Sequence, residues 1–157
     1  MKDLCEAVFG KKLKERHTLK EAFYLFDSMD LIDIGELAEQ AISKKSKVKR
    51  CSKNHPEIDL VSGKQIKHAR TNPESCRSNG NYSAWITIRN HRSTILAVIT
   101  ESQTDREYYL EIPYSAYRCV NANTIGIPFY SDGTPYLKNK WWKYQVSSFT
   151  QLCELAK

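Results

Sequence analysis

Ile34, Leu37, Ala38, Ala41 and Ile42 recur at the i, i+3, i+4, i+7, i+8 spacing that lines one face of a helix. Asp33 stands where an N-cap belongs, with Glu36 three residues on as its reciprocal partner. The pattern predicts a helix from Asp33 that stops in the 43–46 region, where hydroxyl and basic residues take over. Thr18 and Glu21 form a similar capping box ahead of Ala22, Phe23, Leu25 and Phe26, which predicts an earlier helix ending near Asp30. Ser148 and Gln151 form a third, opening a short C-terminal helix through Leu152 and Leu155.

After Arg50 the pattern changes to that of strands. Segments 57–61 and 64–69 flank Ser62 and Gly63, a hairpin signal. Residues 71–81 read as a polar loop with Pro73 and Gly80. Further strands are expected at 84–89, 94–100 and 108–112, and a turn at Ser131, Asp132 and Gly133. Helix, helix, strand cluster, helix is an α/β or α+β order, with a central mixed sheet flanked by helices. No repeat or linker divides residues 1–157, so one domain is expected, helical to about residue 45 and sheet-forming from about 55.

Composition narrows the class. Apolar residues make up 41% of the chain, but no stretch approaches the ~20 apolar residues that span a bilayer. Asp3 and Glu6 stand where a signal peptide would carry an unbroken apolar core. The five cysteines are odd in number, widely spaced and without a CxxC pair, which fits reduced thiols. The expectation is a cytoplasmic protein with no membrane partner. The net charge of +6 favours a polyanionic partner. Lys44, Lys45, Lys47, Lys49 and Arg50 place five positive charges in seven residues, a solvated loop or a phosphate-contacting strip. Their position just before the candidate chemistry favours the strip.

That chemistry centres on Asp59, Gln65 and Lys67. With a three-residue turn at 62–64, Asp59 lies opposite Lys67, and Gln65 joins them on one face. Ile58, Leu60 and Ile66 then enter the core. Asp59 can hold a hard divalent cation, magnesium above all, which takes oxygen ligands and keeps several waters. Gln65 offers a carbonyl oxygen and Ile66 a backbone carbonyl. Lys67 can orient a water or stabilise developing charge. A second carboxylate is wanted. Glu39 flanks the apolar stripe of its helix and is preferred over Glu36, which points away from that stripe and is partly explained as a cap.

Gly35 and Glu39, then Asp59, then Gln65 and Lys67, stand in an order that resembles the PD-(D/E)xK nuclease superfamily. Two departures are visible: Glu57 and Ile58 intervene between Pro56 and Asp59, and Gln65 replaces the usual acid. A Gln-x-Lys variant is familiar in some branches. The resemblance covers about residues 34–70. It implies a mixed sheet flanked by helices and magnesium-dependent hydrolysis of DNA (less often RNA), with manganese as a substitute metal. Glu39, Asp59, Gln65 and Ile66 would be metal ligands and Lys67 a catalytic residue. Nucleic acid, DNA first, and a second copy of the chain are the partners expected.

Other features compete. Cys51, His55, His68 and Cys76 are residue types that bind zinc, though in no tight-knuckle spacing. Aromatics crowd the C-terminal half, interleaved with Arg118, Lys138, Lys140 and Lys143, and serve either as strand core or as base-stacking surface. The alternative function is a non-catalytic nucleic-acid-binding or protein-interaction module with the same basic surface. The absence of a Gly-rich phosphate loop, a Gly-x-Ser-x-Gly elbow and a His-Glu-x-x-His motif argues against triphosphate hydrolases, α/β-hydrolases and zincins.

Overall fold

The strand at Thr94–Thr100 is apolar almost throughout and is buried from Ile95 onward, as a strand covered on both faces must be. The computed structural model describes residues 6–7, 34–52, 55, 58–75, 80–89 and 91–157. The expected helix at 18–30, the Asp33 cap, and Pro56 and Glu57 lie outside the described residues. Within them the order is α1 (Ile34–Ser46), β1 (Lys64–Arg70), β2 (Tyr82–Thr87), β3 (Thr94–Thr100), β4 (Glu107–Ile112), α2 (Tyr114–Tyr117), β5 (Thr124–Phe129), β6 (Gln145–Val146) and α3 (Phe149–Leu155).

Four strands form a mixed sheet in the order β1-β3-β4-β6, and β2 and β5 form a second, antiparallel pair. β3 takes β1 in parallel on one side and β4 antiparallel on the other. The larger sheet separates two cores. On one face α1 and α3 bury Leu37, Ala41, Ile42, Phe149 and Leu152 against Ile66, Leu96 and Val98. On the other, the two-stranded sheet buries Ala84, Ile86, Ile125 and Ile127 against Ile95, Ala97, Ile99 and Leu110. The result is an α+β fold whose central mixed sheet is flanked by helices on one face and by a small second sheet on the other.

Two sequence expectations require correction. The expected ladder between 57–61 and 64–69 does not form beyond the turn, where Asp59 N–H and Leu60 N–H both reach the Lys64 carbonyl at 3.0 and 3.1 Å. Gly63, at φ +84°, does make a turn, donating its N–H to the Leu60 carbonyl at 2.9 Å. The chain entering that turn pairs with 49–51 instead, through Cys51 N–H to Asp59 O at 2.7 Å and Val61 N–H to Lys49 O at 3.0 Å. β1 runs off to the fully apolar β3, where Ile66 lies beside Leu96 and both enter the helix-side core. Two-sided burial against β3 removes more apolar surface from water than a half-polar local partner could. Strand β5 is not among the expected strands, since Gly126 and Pro128 interrupt its pattern. Proline is tolerated because its missing N–H lies on the side away from the β2 ladder, where its carbonyl accepts from Tyr136 N at 3.1 Å.

The turn after β3 is built around a carboxylate. Glu101 is fully buried and accepts from Tyr82 Oη at 2.7 Å, Thr104 N at 2.7 Å, Thr104 Oγ1 at 2.7 Å and Gln103 N at 3.0 Å. Gly133 packs against it, and a Cβ there would stand 2.8 Å from Glu101 Oε2. The C-terminal cap is as expected, with Ser148 accepting from Gln151 N at 3.2 Å. Phe129 and Trp142 meet edge to face at 5.2 Å, and Trp141, Trp142, Tyr109 and Tyr117 are buried, so this part of the aromatic half is core. Among the described residues, no helix is long and apolar enough to cross a membrane.

Candidate metal and phosphate cleft

Glu36, Glu39, Arg50, Asp59, Ile66 and Lys67 line one cleft of 410 Å³ beside β1. β1 is the first strand of its sheet, so among the described residues its far edge has no strand partner. Asp59 fills part of that edge. Its Oδ2 accepts the Ile66 N–H and the Gln65 side-chain amide, both at 2.7 Å. The N–H and C=O of one strand residue point to the same side. The Ile66 carbonyl therefore also points off the edge, toward the cleft that Ile66 lines.

Gln65 is 4% exposed. A carboxylate can only be met by the NH₂ end of its amide, so the carbonyl end faces away from Asp59. That oxygen, Oε1, is buried and has no hydrogen-bond partner among the described residues. An orphaned buried acceptor is costly and is a vacancy for a donor or a cation. Alternation along β1 sends Gln65 and Lys67 to one side and Ile66 and His68 to the other. Asp59 reaches Gln65 from a turn rather than from a paired strand.

Glu39 stands on α1, and Arg50 binds it at 2.7 Å while reaching Glu36 at 3.6 Å. Burial pushes the Glu39 carboxyl above its ordinary value; the Arg50 bond opposes that shift and the charge of Asp59 adds to it. Two carboxylates are thus close enough to feel each other, with Lys67 acting on Glu39 from the other side.

The basic segment is not one strip. Lys44 and Lys45 line a separate cleft with Phe149 and Thr150 of α3. Lys47 and Lys49 are exposed, and Lys47 ends α1 in the left-handed region at φ 63°. Arg50 is turned inward to Glu39 and Glu36.

The zinc alternative disperses. Cys51 lines the cleft, His55 Nδ1 accepts from Ile58 N at 3.2 Å, His68 Nε2 meets Thr100 Oγ1 at 3.0 Å, and Cys76 lies outside the described residues. Among the described residues, no three His, Cys, Asp or Glu side chains form a metal-binding group. Glu39, Asp59 and the Ile66 carbonyl give the cleft hard oxygen donors, which suit a cation that keeps water; Gln65, expected among the ligands, does not line it and turns its carbonyl away from Asp59.

His91 was not singled out from the sequence. Burial holds its imidazole below the ordinary histidine value, and the positive charge of Lys67 adds to this while Asp59 opposes it. Comparison with protein-family models, curated proteins and solved structures gave no match.

Proposed function

We propose that this cleft binds a divalent cation, magnesium with manganese as a substitute, and hydrolyses phosphodiester bonds in DNA. The observation that carries the reading is the meeting of Glu39, Asp59 and Lys67 on one cleft, with the Ile66 carbonyl turned toward it. Glu39, Asp59 and the Ile66 carbonyl would hold the ion, with Gln65 fixing Asp59 through its amide. When bound, it would supply Lewis-acid stabilisation of the phosphoryl oxygen and a more acidic water. Lys67 donates hydrogen bonds to a phosphate oxygen or to the attacking water, and offsets the negative charge that develops there. Asp59 keeps Lys67 in register by tying the β1 backbone at Ile66.

A second reading draws on Arg50. Its guanidinium already places a cation against Glu39 and Glu36. A protein that keeps Arg50 there permanently would be a nucleic-acid-binding module without catalysis.

The test is a timed cleavage assay on plasmid and single-stranded DNA with magnesium, manganese or chelator. Asp59→Asn and Lys67→Ala should each lose about 10²–10³ in rate. Gln65→Glu restores an acid and should retain metal binding. Metal-dependent cleavage that survives both Asp59→Asn and Lys67→Ala would overturn the assignment. No cleavage of any nucleic acid with any divalent metal would leave the binding-module reading.

A further inference from the structure

A second cleft, of 520 Å³, opens between the β2–β3 connection and the segment that runs from α2 to β5. Arg89 follows β2, Arg92 precedes β3, Arg118 caps α2 at its C-terminal end, and Asn121 and Asn123 lead into β5. Among the described residues, no Asp or Glu lines it. Arg89, Arg92 and Arg118 are exposed and form no ion pair among the described residues. Three guanidinium groups gathered without a carboxylate repel one another, and an oligoanion would relieve that repulsion. Guanidinium and carboxamide donors are the groups that bind phosphate and sugar oxygens.

An aromatic surface lies beside the cleft. Along β2 the inward residues are Ala84, Ile86 and Ile88, so Trp85, Thr87 and Arg89 share the outward face. Trp85 is 52% exposed. A Cβ on Gly126, its cross-strand partner, would stand 3.1, 3.2 and 3.4 Å from three consecutive atoms of the indole ring. Near-equal distances to consecutive atoms mean the ring lies face-on over Gly126. Its other face is open, with an arginine four residues along the same side.

The cleft also neighbours the candidate chemistry. His91 lines it and feels the charges of both Lys67 and Asp59. Arg92 precedes the strand that pairs with the one bearing Lys67. Lys44 and Lys45 line a different cleft, beside α3.

We infer that Arg89, Arg92 and Arg118 hold the phosphate backbone of a single nucleic-acid strand while Trp85 stacks on one of its bases, leading that strand toward Lys67. The inference rests on the proposed function for the direction of the strand, but the binding surface stands on its own geometry. A single strand fits because a ring lying flat on a sheet can stack only on an unpaired base, and stacking beside a positive groove is how such strands are held.

The experiment is binding of fluorescein-labelled oligothymidylate and of a duplex of equal length, followed by anisotropy over a range of salt and with chelator present, so that cleavage plays no part. The proteins are the parent, Arg89→Gln/Arg92→Gln/Arg118→Gln, Trp85→Leu, Trp85→Phe and Lys44→Gln/Lys45→Gln, each checked for a parental melting curve. The parent should prefer the single strand. The triple arginine variant should flatten the log–log salt slope by up to about 2, at about 0.7 per phosphate released. Trp85→Leu should weaken binding about tenfold with the slope kept, and Trp85→Phe should restore most of it. The Lys44 and Lys45 variant should change little. Binding and slope unchanged in the folded arginine variant, or no binding by the parent, would overturn the inference. Cleavage by a protein whose arginine variant binds normally would sink the inference and spare the proposed function. Arginine-dependent binding without cleavage under any metal would do the reverse.

Discussion

The carboxylate of Asp59 accepts the backbone N–H of Ile66 at 2.7 Å. The same oxygen takes the amide of Gln65 at 2.7 Å. Asp59 is therefore part of the scaffold as well as a candidate ligand. Asp59→Ala should cost about 2–3 kcal/mol, because a charge-assisted bond is lost and an inward-facing donor is left without a partner. Asp59→Asn keeps an acceptor oxygen and should cost less, while removing the charge. Urea unfolding separates the two, and a parental midpoint for Asp59→Ala would show that these bonds contribute little.

Arg50 bridges Glu39 at 2.7 Å and Glu36 at 3.6 Å, with its side chain 26% exposed. At that exposure the pair should stabilise the fold by no more than about 1 kcal/mol. Arg50→Gln should barely move the unfolding midpoint. Under the metal reading it should tighten manganese binding, measured by calorimetry, since a competing cation has gone. Unchanged affinity would mean that Arg50 and the metal do not share Glu39.

Burial works against the charge on Glu101, but hydrogen bonds from Tyr82, Gln103 and Thr104 hold its carboxyl below the ordinary value of 4.5. A depressed folded pKa stabilises most above the unfolded value. That contribution is lost as pH falls from about 4.5 through the folded value. Stability of the parent should therefore fall steeply below about pH 4.5, and that of Glu101→Gln less steeply. At neutral pH the glutamine variant should be weaker by about 2 kcal/mol. Parallel stability–pH curves for the two proteins would refute this.

Lys47 takes φ 63° just past the end of α1. A side chain there costs roughly 1 kcal/mol that glycine avoids. Part of the gain is offset by the greater freedom of glycine in the unfolded chain. Lys47→Gly should raise stability by about 0.5 kcal/mol, read from the shift in urea midpoint. A lower midpoint would show that the lysine side chain makes contacts worth more than the strain.

How much was legible depends on where the signal sits. The apolar stripe of α1 and the unbroken apolar run of β3 are local, and both elements stand where they were expected. The Ser148 cap is local too. The partner of β1 is not: it lies some thirty residues on, beyond β2, and no feature of 62–64 announces it. The turn at Gly63 was read correctly and the hairpin inferred from it was not, because a turn fixes where a chain bends and not what it pairs with. Glu39, Asp59 and Lys67 were found from spacing and do line one cleft. Arg50 was counted with its lysine neighbours, yet the bridge to Leu60 turns it toward α1. Arg89, Arg92 and Arg118 were passed over as a group because two chain segments carry them, and only the meeting of loops gathers them.

The outer edge of β1 has a further consequence. An unpaired strand edge is a row of donors and acceptors that recruits strands from neighbouring molecules. Here the Ile66 donor is already taken by Asp59, and Lys67 and Arg70 put positive charge along the same strand. These features discourage one molecule from adding its sheet to another's. Variants that lose Asp59 should therefore be watched for aggregation at high concentration, and a loss of activity in them read only after the monomer has been isolated. The carboxylate proposed as a cation ligand is thus also one that guards a strand edge.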